Sequence, residues 1–575
     1  MPASWVTKVA ELWYAAQVEL QGRYSPQRVR ALADYTESTS LLRAMFVVGV
    51  TPIPCLIITI LVDLVYLRPP SEGLQANKLF VRREYVSFWI FGFLATHQFR
   101  HALPSLPLSN RRIVVNNVIV AALAVSVIYA LGLVVGFPLP FGIIAGTPAW
   151  VSFISISLVA AWAKHIRANP GVWPHVMNSL KVWMCQVALV VVYPTYFYVF
   201  TTLSETGKTY FAFLLPVIKL ILRNVFSRTV VHLQDDMPEV IILNVEVFNA
   251  LFVAYGMQNS PSMWTTVGLM VVDLLQLSAS LYDMSLILQD LKSVTEKLVK
   301  KNSLRDDPTG LEVKWSATIM MEQMQEMLER QRKSPQAASS SSSSESELPD
   351  HVADDLVMPF APNSLSAQAP HFLVEKAVEQ PVTSLRLLLA TQQQSGRVVP
   401  VYEQASQSSN LLPSLELQYV QEVRQLLYIT EFVTLINFVE VMIPFVFCKP
   451  PPTLCTPNTS KVILWTYSAI YLVTMYHLPN RAYYAQFDDM DAAKMQQTLA
   501  NMLFYGALQI VSLLLLGLVL WYKMRFSAIR QLAFVLEKQW DQVQVKLIFW
   551  MFYNVQASLR HFGKALCFER QTTAD

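Results

Sequence analysis

The stretch IVVNNVIVAALAVSVIYALGLVVG, residues 113–136, decides the fold class of this chain. It contains no Asp, Glu, Lys or Arg, and it exceeds the roughly 20 apolar residues that an α-helix needs to cross a bilayer. A helix satisfies its backbone hydrogen bonds internally, so such a run is stable in hydrocarbon. The stretch therefore predicts a transmembrane helix.

Similar apolar runs recur along the chain and predict an all-α, polytopic transmembrane bundle of about 10 to 12 spans. The further candidate spans are 44–67, 141–163, 182–202, 240–257, 264–288, 432–447, 462–476 and 502–522. Two marginal segments, 85–95 and 210–222, are short, and the second contains Pro216 and Lys219. Both are typical of broken or re-entrant helices. The backbone polar groups of such helices must be buried in protein or face a water-filled cavity.

The composition fits this interpretation and excludes others. Of 575 residues, 53% are hydrophobic and only 15% are charged, whereas soluble domains carry about 25% charged residues. The mean hydropathy is +0.36. The formal net charge of +3 is too small to predict nucleic-acid binding. Residues 1–43 lack the apolar core of a cleavable signal peptide, so the first span would itself direct membrane insertion.

The motifs of familiar enzymes and cofactor sites are missing from the sequence. Its five cysteines include no CxxC pair, which argues against a zinc or thioredoxin-like site. His97 and His101 share a helical face, but the sequence offers no further metal ligands beside them. There is no Walker A, GxSxG, HExxH or GxGxxG motif. We therefore expect no catalytic residue, no metal and no cofactor.

Lys and Arg in short connections predict the orientation of the spans, because cytosolic loops carry an excess of both. Basic residues are frequent in 1–43, 98–112 and 164–181, and at the start of 289–420. We therefore expect the N-terminus and the segment 289–420 to lie in the cytosol. The connection 68–84 disagrees, since it is basic and would lie outside.

The second half of the chain predicts an oxidising face for the loop 448–461. The loop contains the glycosylation pattern Asn458-Thr459-Ser460, and it contains Cys448 and Cys455, which could form a disulfide. The side on which the C-terminus lies stays open. The predicted regions are an amphipathic cytosolic N-terminus 1–43, a first bundle of about eight segments 44–288, a polar linker 289–420, a second group of about three spans 421–522 and an amphipathic basic region 523–575.

The linker 289–420 has the composition of a mostly disordered segment, with six consecutive serines at 339–344. A helix is predicted at 311–332, where Met320, Met324 and Met327 share one face. That face could pack under the membrane domain, or it could dock a cytosolic protein partner. The oligomeric state cannot be derived from the sequence.

Ionisable side chains inside a membrane cost about 2.5–3.5 kcal/mol each, so they tend to be paired or functional. Asp273 and Gln276 share one face of the span 264–288, and Glu246 and Asn249 share a face of the preceding helix. A short connection makes these helices antiparallel neighbours, with Lys219 as the nearest counter-ion. These five residues could bind or conduct a small cation or polar solute. Alternatively, a Glu246–Lys219 ion pair could only fix the helix register.

Several stretches carry a family resemblance. They are Gly136-Phe137-Pro138-Leu139-Pro140-Phe141, Leu214-Leu215-Pro216-Val217-Ile218-Lys219, Met237-Pro238-Glu239, residues 244–250 with Gln258, and Gln531-Leu532-Ala533-Phe534-Val535-Leu536-Glu537. On these stretches the chain resembles a large family of uncharacterised multi-span membrane proteins of oomycetes. The resemblance implies a membrane location and supplies no activity or site residues.

Three functions follow as hypotheses from these patterns. The first is a transporter or channel-like protein for a small cation or polar solute, favoured by the polar helix faces. The second is a membrane receptor or scaffold that recruits cytosolic partners through 289–420. An intramembrane enzyme ranks last. The membrane would be the plasma membrane or an endomembrane.

Overall fold

The structure is a computed structural model of the full chain. It describes residues 17–106, 108–204, 207, 210–211, 214–259, 263–303, 316–339, 401–447, 478–484 and 492–562. These residues form α-helices and short 3-10 turns without a β-strand, apart from one isolated bridge between Tyr484 and Leu559. The prediction of an all-α fold is therefore confirmed for the described residues.

The helices are named α1 to α15 in chain order. They are α1 Pro26–Ser38, α2 Leu41–Val50, α3 Ile53–Asp63, α4 Lys78–Ala102, α5 Asn110–Val135, α6 Gly142–Ala168, α7 Trp173–Thr202, α8 Leu214–Val230, α9 Met237–Asn259, α10 Met263–Ser303, α11 Ala317–Ser339, α12 Val401–Phe447, α13 Ala492–Met524, α14 Ala528–Lys538 and α15 Trp540–Ala557.

Seven helical stretches among the described residues are long and apolar enough to cross a membrane. Each overlaps a stretch that the sequence predicts to be a span. The seven are Leu41–Asp63, Asn110–Val135, Gly142–Ala168, Pro170–Phe200, Met270–Lys300, Ser414–Ile443 and Phe504–Met524.

The other predicted spans are not among these seven stretches. The segment 85–95 lies within α4, and 240–257 lies within α9. The marginal segment 210–222 overlaps α8, which has only 17 residues. The predicted span 462–476 lies outside the described residues. A total of more than seven spans therefore stays a prediction.

The chain divides into two compact units. Unit 1 comprises Met1–Ser280 and Leu427–Asp575, and unit 2 comprises Leu281–Leu426. Both boundaries fall inside long helices, α10 and α12. The predicted ends of the linker, residues 289 and 420, lie in the same two helices.

The core of unit 1 is built from helices whose every side is covered. Residues 241–248 of α9 are all fully buried. Trp550 of α15 packs edge-on against Phe248, with ring centroids 4.7 Å apart, and its Nε1 donates to Asn244 Oδ1 at 3.1 Å. In α12, 94% of the apolar window in Ser414–Ile443 is buried, against 22–41% in the other six candidate spans. Within unit 1, α9, α15 and the part of α12 after Leu427 therefore form the inside.

The region 523–575, which the sequence predicts to be amphipathic and basic, includes helices that pack inside unit 1. It contains α14 and α15, and α15 packs against α3, α4 and α9. Its polar side chains are buried with partners, because Lys546 Nζ donates to both Glu239 oxygens at 2.7 and 3.0 Å. Gln544 Nε2 donates to the carbonyl of Thr51 at 2.9 Å. The polar side chains Gln544 and Lys546 of α15 are therefore paired inside unit 1.

Side-chain hydrogen bonds anchor the N-terminal part of unit 1. Ser25 caps α1 by accepting from the amide of Arg28 at 3.1 Å, and Pro26 occupies the first turn, where no amide is needed. Arg28 Nη2 donates to both oxygens of Glu431, at 2.8 and 2.9 Å. The amide of Ser25 donates to Asp235 at 2.7 Å. Helix α1 is therefore a fixed part of unit 1.

Unit 2 contains helices at both described ends of the predicted linker. Helix α10 continues to Ser303, and α12 begins at Val401. Between them α11 covers Ala317–Ser339, whereas the sequence predicts a helix at 311–332, of which 311–315 lie outside the described residues.

The methionine face of α11 is buried. The three residues predicted to share it are Met320, Met324 and Met327, with 4%, 0% and 5% exposure. Within unit 2, Tyr419 donates its hydroxyl hydrogen to Gln323 of α11 at 2.9 Å. Docking of a cytosolic partner at 311–332 stays a prediction, and it would require this face to become uncovered.

Candidate functional site

The site is built around two basic residues of α8 in unit 1. Lys219 and Arg223 lie four residues apart and therefore share one face of this helix. Pro216 is the third residue of α8. Both basic side chains are buried, with 4% exposure for Lys219 and 2% for Arg223. Two cations in such an environment require nearby negative charge.

Three carboxylates from three different helices surround the ammonium group of Lys219. Its Nζ lies 3.2 Å from Glu246 Oε2 on α9 and 3.5 Å from Glu440 Oε1 on α12. It lies 3.9 Å from Asp273 Oδ1 on α10. Lys219 thus connects α8 to three other helices of unit 1.

Arg223 pairs with the innermost of these carboxylates. Its Nε donates to Glu246 Oε1, so Glu246 binds both basic residues. The guanidinium also lies over the ring of Phe432, 6.0 Å from the centroid. Because Glu246 is fully buried and held from two sides, it is the fixed acidic residue of the site.

Asp273 occupies the more open side of the site. Its side chain is 23% exposed, against 11% for Glu440 and 0% for Glu246. Gln509 Nε2 of α13 approaches Asp273 Oδ2 at 3.5 Å and the hydroxyl oxygen of Tyr505 at 3.0 Å. Of the three carboxylates, Asp273 is therefore the one that water or a solute reaches most easily.

We call this group the Lys219 cluster. Its members are Lys219, Arg223, Glu246, Asp273, Glu440 and Gln509. These members comprise two basic groups and three carboxylates, a net charge of −1 at full ionisation, and the buried carboxylate of Glu19 beside Arg223 adds further negative charge. An uncompensated charge in a buried site is costly, and it attracts a cation.

Three of the five residues predicted for this site, Lys219, Glu246 and Asp273, meet in the cluster. Asn249 is buried with 8% exposure, and its Oδ1 has no hydrogen-bond partner among the described residues. Gln276 is half-buried, and its carbonyl accepts from Ser280 at 3.2 Å. The ion pairs described for Lys219 involve Glu246, Asp273 and Glu440, and not Asn249 or Gln276.

The cluster also contains three residues that were not predicted as site residues: Arg223, Glu440 and Gln509. A signal for Glu440 exists in the sequence, because it is an acidic residue within the predicted span 432–447. Gln509 likewise lies within the predicted span 502–522. Neither position reveals which other helix it faces.

Other predicted sites cannot be placed. Asn458, Cys448 and Cys455 lie outside the described residues, so the glycosylation and disulfide predictions stay open. Across the described part of the chain, no group of three His, Cys, Asp or Glu residues could hold a metal ion.

Comparisons of this chain with protein-family models, with curated proteins and with solved structures found no match. The resemblance to oomycete membrane proteins therefore stays a prediction, and the site must be interpreted from its own chemistry.

Proposed function

We propose that this chain is a multi-span membrane protein that moves a small cation or a polar solute across the bilayer through the Lys219 cluster. The single observation that carries the proposal is the imbalance of charge, two basic groups against three carboxylates, in a buried site. Buried charged groups of this kind commonly mark the pathway of an ion or solute.

The exposed apolar surface of unit 1 supports the membrane part of the proposal. Large apolar side chains are exposed on the candidate spans, including Val134 on α5 at 85% and Leu518 on α13 at 62%. Soluble proteins rarely expose contiguous apolar surface of this kind. Acyl chains would cover it.

A second buried ion pair shows what a purely structural arrangement looks like. Lys546 and Glu239 pair one to one, and each side chain is only 2% exposed. Their charges cancel, and neither needs a further ligand. The Lys219 cluster differs because one carboxylate remains in excess and its most exposed member, Asp273, lies at 23%. This difference favours a binding role over a register-fixing role.

The test compares Asp273→Asn with Glu239→Gln in the purified full chain. After reconstitution in liposomes, Na⁺, K⁺ or H⁺ gradients are imposed one at a time and the current is recorded. Asp273→Asn should abolish the wild-type current. It should leave stability unchanged or higher, because two cations then face two carboxylates. Glu239→Gln should lower stability by about 3–5 kcal/mol, because it leaves a buried lysine without a partner.

The outcome also separates the proposal from its alternatives. If Asp273→Asn lowers stability as Glu239→Gln does and Lys219→Met partly restores it, the cluster is a structural ion-pair network. If the folded variant carries normal current, transport through Asp273 is wrong. A wild-type protein without any current would favour the receptor or scaffold hypothesis for the segment 289–420.

A further inference from the structure

We propose that the ion handled by the Lys219 cluster is a proton, which Asp273 and Glu440 bind as a pair. This inference rests on the proposed function, and it narrows the substrate class from any small cation to the hydrogen ion. The geometry of the cluster supports it in three steps.

The first step is the charge balance. Glu246 forms ion pairs with both Lys219 and Arg223, so its negative charge is neutralised better than that of the other two carboxylates. Among the described residues, Asp273 and Glu440 have only the Lys219 ammonium as a close positive charge. Its Nζ lies 3.9 Å from Asp273 Oδ1 and 3.5 Å from Glu440 Oε1. One bound proton on this pair brings the net charge of the cluster from −1 to zero.

The second step is that the space between the three carboxylates has no room for a metal ion. A metal ion binds several oxygen ligands at once, with six or more for calcium and magnesium. Here the position that all three carboxylates approach is occupied by the ammonium group of Lys219. Within the described residues no group of three acidic, His or Cys ligands is arranged to hold a metal. A proton needs no coordination shell, and it fits where a metal ion does not.

The third step is an unpartnered acceptor beside the cluster. Asn249 lies three residues after Glu246 and therefore shares its face of α9. The side chain is 8% exposed, and its Oδ1 accepts no hydrogen bond from the described residues. A buried amide oxygen of this kind lacks a hydrogen-bond donor. A proton-bearing water or carboxyl group near the cluster would supply that donor.

Groups on three helices and one residue before α1 surround the acidic pair and set its proton affinity. Lys219 and Arg223 on α8 oppose protonation. Glu246 on α9 favours it, and so does the buried Glu19 before α1, whose charge offsets that of Arg223. On α13, the amide of Gln509 donates to Asp273 and therefore favours its ionised form, and the hydroxyl of Tyr505 lies behind that amide. The pair is contributed by α10 and α12.

The chemical step is a simple acid–base exchange. Asp273 is the more exposed member of the pair, so water delivers the proton there. The O–H bond forms on the Asp273 carboxylate as a hydronium ion becomes water. The same bond breaks when the proton returns to water. No oxidant, reductant or other reactant is involved.

The experiment uses infrared difference spectroscopy on the purified full chain in detergent during a pH titration. Every protein in the comparison carries Glu84→Gln, because Glu84 of α4 is another buried carboxyl group, with 3% exposure and no hydrogen-bond partner for its Oε1 among the described residues. On this background, called wild type here, the cluster should show the C=O band of a protonated carboxyl group, which disappears as the pH rises. Asp273→Asn and Glu440→Gln should each remove or shift that band. The control Asp541→Asn changes an exposed carboxyl group of α15 and should retain the band. Absence of the band in wild type, or its persistence unchanged in both cluster variants, would overturn the inference.

A second variant tests the charge balance directly. Lys219→Met removes one positive charge from the cluster, so its carboxylates should take up a further proton and the band should grow. A folded Lys219→Met protein with the wild-type band intensity would contradict the inference.

The liposome currents separate this inference from the proposed function. A Na⁺ or K⁺ current that requires Asp273, without the infrared band, would keep transport and reject the proton. The infrared band without any current would keep the proton site and reject transport. Current driven only by an H⁺ gradient, together with the band, would support both.

Discussion

His561 is a buried titratable residue outside the candidate spans. Its Nε2–H donates to the carbonyl of Arg68 at 2.8 Å, and its ring stacks on Phe80 with centroids 4.9 Å apart. Burial lowers the pKa of His561 to about 4, and the positive charge of Arg83 also lowers it. The folded state therefore holds this imidazole neutral at a pH where the unfolded chain, with a pKa of about 6.5, is protonated.

The stability of the protein should consequently fall in acid. Above pH 6.5 the contribution of His561 is fully present, and below this value the unfolded state gains a proton that the folded state does not take up. The loss is about 1.4 kcal/mol per pH unit until the folded pKa is reached. His561→Gln should flatten the pH dependence of unfolding between about pH 6.5 and 4. The control is His101→Gln, at an exposed position, and pH profiles for His561→Gln that parallel wild type would contradict the assignment.

At the residue scale, local spacing predicts part of the Lys219 cluster. Asp273 and Glu246 lie on helices joined by a short connection, so they are neighbours for any helical hairpin. Lys219 is the basic residue that precedes them in the chain. Glu440 comes from the other half of the sequence, and only the packing of α12 brings it within 3.5 Å of Lys219. Helical periodicity carries no information about such a distant partner.

At the element scale, the segment before α1 has no room for a larger side chain at Gly22. A Cβ atom placed there would overlap the ring of Tyr428, which is fully buried in unit 1. Gly49 in α2 is a matched control, because nothing lies within 4 Å of a Cβ at that position.

Gly22→Ala should therefore destabilise the protein by about 1–3 kcal/mol, since the Tyr428 ring must move within a packed core. Gly49→Ala should be neutral or stabilising by up to about 1 kcal/mol, because alanine is the better helix former. Unfolding of the purified variants in detergent measures both effects. Equal stability of the two variants would mean that the N-terminal segment does not pack as described.

The helix α15 shows why element positions are harder to predict than element types. The sequence predicts an amphipathic basic region at 523–575, and Gln544 and Lys546 are among its polar residues. The buried partners that satisfy them, Thr51 and Glu239, lie hundreds of residues earlier in the chain. A polar residue with a buried partner and one facing water look the same in the sequence.

At the scale of the whole molecule, hydropathy predicts the long helices best. All seven candidate spans overlap predicted spans. A long apolar run can lie in hydrocarbon only if its backbone hydrogen bonds are made internally, and a helix makes them within the run. Hydropathy is less informative for α8, where Lys219 lowers the apolar signal, although Lys219 pairs with Glu246 at 3.2 Å.

The topology of the chain gives the last prediction. The segment 289–420 and the loop 448–461 are separated in sequence by the candidate span Ser414–Ile443, of 30 residues. At 1.5 Å per residue it is about 45 Å long, which exceeds the roughly 30 Å of a hydrocarbon core. If this helix crosses the bilayer, the two segments lie on opposite sides. From the sequon at Asn458 we expect the loop to lie on the lumenal or outer side.

In a glycosylating host, Asn458→Gln should therefore increase the mobility of the protein on a gel. An epitope tag placed in the serine run 339–344 should resist protease added to intact cells and become accessible after permeabilisation. Cleavage of the tag in intact cells together with glycosylation at Asn458 would place both segments on one side. That result would show that Ser414–Ile443 does not cross, because a single crossing helix between two segments must separate them.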